Sequence, residues 1–360
     1  MKRIGILGAT GSIGTSTLAY IRTMRETFSL AFVTAHTNHT KLAAIAAEFQ
    51  CPAELTAKSP DCIPALIEKT APDIVVNGIA GSAGLMPSYA VLAAGVDLAL
   101  ANKETLVMAW PFIHALAQKT GARILPVDSE HSALFILTER FGNAAIAEFI
   151  ITASGGPFRT YSASQLQSVT VADALQHPTW RMGKKITIDS ATLANKGLEV
   201  IEACRLFDAT PEQVRVLVHP ESIVHALVRT TDGVLYAQAA APDMQHPIAT
   251  ALTWPLPTKN TLTPFSLADK TLSFFPPDLE KFPLLRLAYD AVQRDGAYPI
   301  AYNAANEIAV TAFMDGRIGF TDIARTVATV LEKDWSAAPE EFSAVFDTDA
   351  RARREALESL

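Results

Sequence analysis

The chain has 360 residues, of which 49% are apolar and 19% charged. That is more than one ordinary core accommodates, so a globular chain of two or three domains is expected and disorder is excluded. A formal charge of −7 excludes nucleic acid as the main partner, because phosphate backbones require clustered Lys and Arg, but it leaves room for a small phosphorylated substrate.

Three cysteines, Cys51, Cys62 and Cys204, form no CxxC pair. Neither a disulfide framework nor a thiolate zinc site is expected, and a reducing cytoplasm fits. The apolar run Ile4–Leu7 after Met1-Lys2-Arg3 is too short for a signal peptide. The apolar stretch from Gly81 to Ala101 is interrupted by Pro87, Gly95 and Asp97, which predicts a buried helix followed by a buried strand and no membrane span.

In chain order, residues 1–127 alternate apolar runs with helical patterns. Strands are expected at Arg3–Leu7, Leu30–Ala35, Ala53–Thr56, Asp73–Asn77, Asp97–Ala101 and Arg123–Val127, with helices such as Thr40–Phe49 and Glu104–Thr120 between them. This is the pattern of an α/β fold with an N-terminal Rossmann-like parallel sheet. Residues 128–254 read as a central α+β domain. Its expected strands are Phe149–Ala153, Lys185–Asp189 and Val214–His219, and a hairpin pairs Ile223–Arg229 with Val234–Ala240. A proline-rich connection spans 255–282. Residues 283–360 then show only helical periodicity, over Leu284–Arg294, Asn303–Phe313, Thr321–Lys333 and Pro339–Leu360, as in a small C-terminal helical bundle.

Chemistry-bearing residues begin at Gly8-Ala9-Thr10-Gly11-Ser12-Ile13-Gly14, between the first strand and a helix. Glycines there permit a tight turn, and the helix start faces a pyrophosphate. After the second strand, His36-Thr37-Asn38-His39 contains no acid. A carboxylate at that place serves the ribose hydroxyls of NAD, so its absence leans towards NADP.

Asp128-Ser129-Glu130 follows the sixth strand, and Asn195, Glu199 and Glu202 share one helical face bordered by Lys196. Asp128, Glu130 and Glu199 are hard oxygen donors suited to Mg²⁺ or Mn²⁺. The first two equally suit a helix N-terminus without an ion. Ser154-Gly155-Gly156 forms a second anion-binding turn. Ser190, read as a helix start, joins Asn195 and Lys196 as phosphate-binding groups, although a plain N-cap accounts for Ser190 as well. His177-Pro178-Thr179-Trp180-Arg181-Met182-Gly183 suits a lid, and Lys103, in Asn102-Lys103-Glu104 after the fifth strand, can polarise a carbonyl.

Taken together, GATGSIG, LANKE, LPVDSEH, SGGPFR, HPTWRMG, DSATLANKGLE, HPESIVH and YNAANE, in this order along the chain, resemble the 1-deoxy-D-xylulose 5-phosphate reductoisomerase family. The resemblance implies conversion of that ketose phosphate to 2-C-methyl-D-erythritol 4-phosphate with NADPH and a divalent metal, Mg²⁺ or Mn²⁺, and typically a homodimer. It implies cofactor contacts by Gly8, Thr10, Gly11, Ser12, Ile13 and Gly14, by His36, Thr37 and Asn38, and by Asn102, Glu104 and Gly183. It implies metal ligation by Asp128, Glu130 and Glu199. Substrate contacts fall to Lys103, Ser129, Glu130, Ser154, His177, Trp180, Met182, Ser190, Asn195, Lys196 and Glu199, with Lys103, Glu130 and His177 assisting proton movement. One departure is that His36-Thr37 stand where relatives often carry glycine and lysine. The alternative class is a metal-independent NAD(P)-dependent dehydrogenase or semialdehyde reductase.

Overall fold

The computed structural model describes Met1–Leu360. Runs of β-branched and aromatic residues, buried on both faces, build a parallel sheet. Its strands are β1 (Lys2–Leu7), β2 (Phe28–Ala35), β3 (Ala53–Leu55), β4 (Ile74–Asn77), β5 (Asp97–Leu100) and β6 (Ile124–Pro126), in the order β3-β2-β1-β4-β5-β6. Ile4, Ile6, Leu7, Val75 and Val76 are wholly buried within it. The order reverses between β1 and β4, and such a switch point opens a crevice at the carboxyl ends of the strands. The apolar stretch before β5 divides into helix Leu85–Ala93 and the strand itself, as its interruptions predict.

A second, mixed sheet has the order β10-β9-β7-β8, from β7 (Ile146–Ala153), β8 (Val214–Val218), β9 (Val224–Thr230) and β10 (Leu235–Ala239). β7 and β8 run parallel, and β9 and β10 form the expected antiparallel hairpin.

Contacts divide the chain into two compact units. One comprises Met1–Thr105, Trp110–Ser132 and Asp243–Ser266, and the other Leu106–Ala109, Ala133–Pro242 and Leu267–Leu360. In the first, helix Gln245–Thr253 packs against helix Ser12–Thr23, β5 and β6. In the second, Phe275 forms an antiparallel bridge to Val218, and the C-terminal helices Pro283–Arg294, Tyr298–Met314, Asp322–Leu331 and Phe342–Glu358 cluster around Tyr298–Met314. That central helix is buried along most of its length. Arg353 ties Phe342–Glu358 to it through Glu307 at 2.6 Å while also meeting Asp349 at 2.6 Å.

One expected strand is a helix. Lys185–Asp189 lies within helix Lys184–Ala191. Two alternating isoleucines are too short a run to establish a two-residue period. The deciding signals are an i,i+4 ion pair between Lys185 and Asp189 at 2.9 Å and capping of the first turn, where the Thr187 amide and hydroxyl donate to the Gly183 carbonyl. Ser190 therefore stands at the end of this helix and not at the start of the next, which begins at Ala194 after Leu193 in the left-handed region at φ 60°. Helix Lys103–Thr120 carries a break at Ala109, two residues before Pro111, whose ring and missing N–H disturb the preceding turn.

Helix Ala194–Leu206 approaches its neighbours through Gly197. A β-carbon there would lie 2.6 Å from the Tyr302 hydroxyl and 2.7 Å from Cβ of Ala288. Gly197→Ala is therefore expected to lower stability by about 1–3 kcal/mol through overpacking, read as a reduced urea midpoint. An unchanged midpoint would show that the helices separate without cost.

Candidate active site

In the first unit, the glycine turn follows β1. Gly8 adopts φ +78°, and a β-carbon on it would lie 3.1 Å from the Gly78 carbonyl oxygen. A β-carbon on Gly14 would come within 2.5 Å of both the Gly8 oxygen and Cα of Ala9, so only glycine lets the helix start this close to the strand. Ile13 packs on Gly78, while Gly11 and Ser12 are exposed. Helix Ser12–Thr23 has no side-chain cap and no acid in its first turn, leaving its leading N–H groups for an anionic group.

Beyond β2, the side chains diverge. Asn38 caps helix His39–Phe49, its Oδ1 accepting from the Lys41 amide at 3.1 Å. His36 Nδ1 lies 3.2 Å from the Thr56 hydroxyl, and Thr37 is exposed. Lys41 lies outside the motifs, yet its ammonium returns to the glycine turn and donates to the Thr10 carbonyl at 2.9 Å and to the Thr15 hydroxyl at 3.0 Å. Its signal was position: it falls in the first turn of the helix after β2, on the carboxyl side of the sheet.

Asn102 and Glu104 are buried and serve the loop after β4. Asn102 Nδ2 donates to the carbonyls of Ile79 and Gly81, each at 2.8 Å, and to Glu104 at 2.9 Å, while Oδ1 accepts from Thr105. Glu104 accepts from the Gly81 amide at 3.2 Å. Both side chains thus hold the backbone from Ile79 to Gly81, which borders the glycine turn.

After β6, Asp128 accepts a hydrogen bond from the buried Lys103 ammonium at 2.6 Å. His131 Nδ1, one helical turn on, lies 3.5 Å from the other Asp128 oxygen. The Ser129 hydroxyl donates to Glu130 at 2.5 Å. A half-buried carboxylate pair is thereby held beside one ammonium, which offsets the cost of burying charge.

In the second unit, Ser154, His177 and Ser190 come together. His177 Nε2 lies 3.0 Å from the Ser154 hydroxyl and 3.1 Å from that of Ser190. Its Nδ1 accepts from the backbone amides of Thr179 and Trp180 at 3.1 and 2.8 Å, which assigns the proton to Nε2. Burial lowers the His177 pKa to about 4, so the ring is neutral near pH 7. The glycines after Ser154 make this approach possible. Gly155 and Gly156 have φ +82° and +65°, and a β-carbon on Gly156 would lie 2.8 Å from the Ser190 carbonyl oxygen.

Helix Ala194–Leu206 carries the next group. Glu199 is 1% exposed and accepts from Asn195 at 2.5 Å and from the Lys196 ammonium. Glu202 is equally buried on that helix. Asp189 is fixed by the Asn306 amide at 2.8 Å, a tie from a distant helix that local sequence does not announce. In the loop carrying Trp180 and Met182, the Trp180 ring lies 6.3 Å from that of His225. Gly183 caps the following helix with extended backbone.

The acidic donors are oxygen ligands throughout. Burial raises the Cys51 thiol to about 11 and that of Cys204 to about 12, so neither offers a thiolate at neutral pH. Such a donor set fits a hard divalent cation, and the glycine turn fits a dinucleotide.

Residues 4–61 and 53–110 match the family model described as 1-deoxy-D-xylulose 5-phosphate reductoisomerase. Residues 124–207 match the model of that enzyme's C-terminal domain, and 239–355 a further DXP reductoisomerase C-terminal domain. The 1-deoxy-D-xylulose 5-phosphate reductoisomerase of Treponema denticola is 46% identical, over 99% of this chain and 96% of the relative. Among solved structures, a DOX-P reductoisomerase in complex with NADPH, fosmidomycin and magnesium superposes with a TM-score of 0.90 at 38% identity, covering 100% of this chain and 98% of that one. The Zymomonas mobilis enzyme in complex with NADPH gives a TM-score of 0.90 at 37% identity, covering 99% and 98%. The six-stranded sheet, the mixed second sheet and these matches along almost the whole length agree, and the chain belongs to the 1-deoxy-D-xylulose 5-phosphate reductoisomerase family.

Proposed function

We propose that the chain catalyses metal-dependent rearrangement and NADPH-dependent reduction of 1-deoxy-D-xylulose 5-phosphate to 2-C-methyl-D-erythritol 4-phosphate, a step of non-mevalonate isoprenoid synthesis. The observation that carries this is the full-length likeness to the reductoisomerase holding NADPH, fosmidomycin and magnesium. The relatives at 46 and 47% identity carry the reductoisomerase name, which favours this reaction over that of a metal-independent dehydrogenase or semialdehyde reductase.

When bound, NADPH supplies the hydride and the divalent ion supplies Lewis-acid polarisation. The glycine turn from Gly8 to Gly14 holds the dinucleotide, with Asn102 and Glu104 fixing the neighbouring loop. Asp128, Glu130 and Glu199 hold the ion. Lys103, within reach of Asp128, presents an ammonium to the carbonyl end of the ketose. Glu130 accepts a hydrogen bond from the Ser129 hydroxyl and is proposed to accept and return a substrate proton. Neutral His177 directs its Nε2–H at the Ser154 and Ser190 hydroxyls and acts as a hydrogen-bond donor, orienting both hydroxyls towards phosphate oxygens. Asn195 and Lys196, which both meet Glu199, are proposed to give an amide and an ammonium to the phosphate. Trp180 and Met182 cover the substrate and exclude water.

The exposed side chains of Val234, Leu235 and Tyr236 at the edge strand β10 support a homodimer, since an open apolar edge is otherwise an aggregation site. No helix is long and apolar enough to cross a membrane, and the three unpaired cysteines suit a cytoplasmic setting.

Three outcomes are expected. Glu199→Gln lowers magnesium-dependent kcat/KM by about 100-fold or more, the scale of a disturbed metal shell, and leaves NADPH affinity unchanged; near-normal kinetics would refute its role. Because the folded His177 pKa is depressed to about 4, the unfolded chain takes up a proton between pH 6.5 and 4 that the folded chain does not. Stability therefore falls as pH drops through that window, and NMR finds the His177 ring neutral and Nε2-protonated from pH 6 to 8; a ring titrating near its ordinary value would sink the donor assignment. Sedimentation velocity at micromolar concentration shows twice the chain mass of 38.7 kDa, and a purely monomeric species overturns the dimer.

A further inference from the structure

A dinucleotide bearing a 2′-phosphate calls for a cation near its adenosine ribose, yet the segment after β2 offers no Lys or Arg before Lys41. His36, Thr37, Asn38 and His39 follow the strand. His36 Nδ1 is engaged with Thr56, and the Asn38 side chain is spent as a helix cap. Asn38 does more than end a loop, however. By capping the helix it places Lys41 in the first turn, with its amide bound to the Asn38 oxygen.

From there the Lys41 ammonium spans the gap to the glycine turn and rests on two neutral oxygens, the Thr10 carbonyl at 2.9 Å and the Thr15 hydroxyl at 3.0 Å. Three donors on the ammonium leave one uncommitted to these two acceptors, and the side chain is exposed. Other cations on this side of the unit differ in setting. Arg22 and Arg25 are both bound to Glu48, at 2.7 Å each. Lys58, beyond β3, has its backbone amide bound to Leu55 but no side-chain bond to the turn. Helix Ser12–Thr23 brings no acid in its first turn to compete for the ammonium. In a dinucleotide turn the ribose lies between the end of the second strand and the first glycines, which is the gap that Lys41 bridges.

We propose that Lys41 is the residue that makes this chain prefer a 2′-phosphorylated dinucleotide, its ammonium pairing with the 2′-phosphate while remaining anchored at the glycine turn. This rests on NADPH being the cofactor. It assigns the discrimination to a side chain on the helix after β2 and not to the residues immediately following the strand. Lys41 is a specificity residue, touching the adenosine end and remote from the chemistry.

The test is equilibrium binding of NADPH and NADH, each followed by nicotinamide fluorescence, to the unmodified chain and to Lys41→Ala, Lys41→Arg, Lys58→Ala and His36→Ala. Loss of one charge-assisted contact predicts that Lys41→Ala weakens NADPH binding by about tenfold or more, leaves NADH binding unchanged, and removes the salt dependence of the preference. Lys41→Arg keeps the preference. Equal weakening of both nucleotides by Lys41→Ala would make the lysine a brace for the turn and overturn the proposal. An unchanged NADPH affinity in Lys41→Ala, with a loss in Lys58→Ala or His36→Ala, overturns it too and leaves the cofactor reading intact. If the unmodified chain binds NADH as tightly as NADPH, or neither, the cofactor reading falls and the proposal with it.

Discussion

Buried carboxylates must be paired, and that constraint organises the acidic groups of each unit. Asp128 meets Lys103 at 2.6 Å in one unit, and Glu199 meets Lys196 and Asn195 in the other. An isolated carboxylate at the 1% exposure of Glu199 would give up its charge or destabilise the fold. An ammonium beside each offsets the cost of burying its charge. The pairing also dictates local structure. Lys196 and Glu199 stand three residues apart on one helix, and Gly197 between them lets that helix press against Tyr302 and Ala288, so the charged pair is held by a tightly packed wall.

The same economy of polar groups appears at His177. Two backbone amides occupy Nδ1, burial keeps the ring neutral, and Nε2 is left to the two serine hydroxyls. A cationic imidazole would carry a buried charge with no acid at either ring nitrogen. A neutral donor instead orders the hydroxyls, and the paired glycines after Ser154, both in left-handed conformations, supply the curvature that brings the strand end and the helix end onto the ring.

At the dinucleotide end, order comes from backbone contact more than from charge. Gly14 removes the side chain that would separate helix from strand, Ile13 rests on Gly78, and Asn102 fastens the Ile79–Gly81 backbone. Asn102 and Glu104 act on this loop, because their polar atoms are taken up by it and by each other. Lys41 is the counterpart that carries charge to the turn.

The sequence by itself determined the parallel sheet, the glycine turn, the hairpin and the C-terminal helices, because each is written in a local period or in residues with restricted backbone choices. It also brought forward the candidate site residues, since motifs such as DSATLANKGLE place them at short, readable intervals. It misread Lys185–Asp189, where two isoleucines suggested alternation and the i,i+4 ion pair was the better guide, and with it the place of Ser190. What only the tertiary structure decided is the direction of side chains. His177 turns Nε2 to two serines drawn from distant strand and helix ends, Asn102 faces a loop, Asn306 reaches back to Asp189, and Lys41 folds over the turn. Such choices depend on which polar groups lie within about 3 Å after packing, and chain order does not encode that proximity.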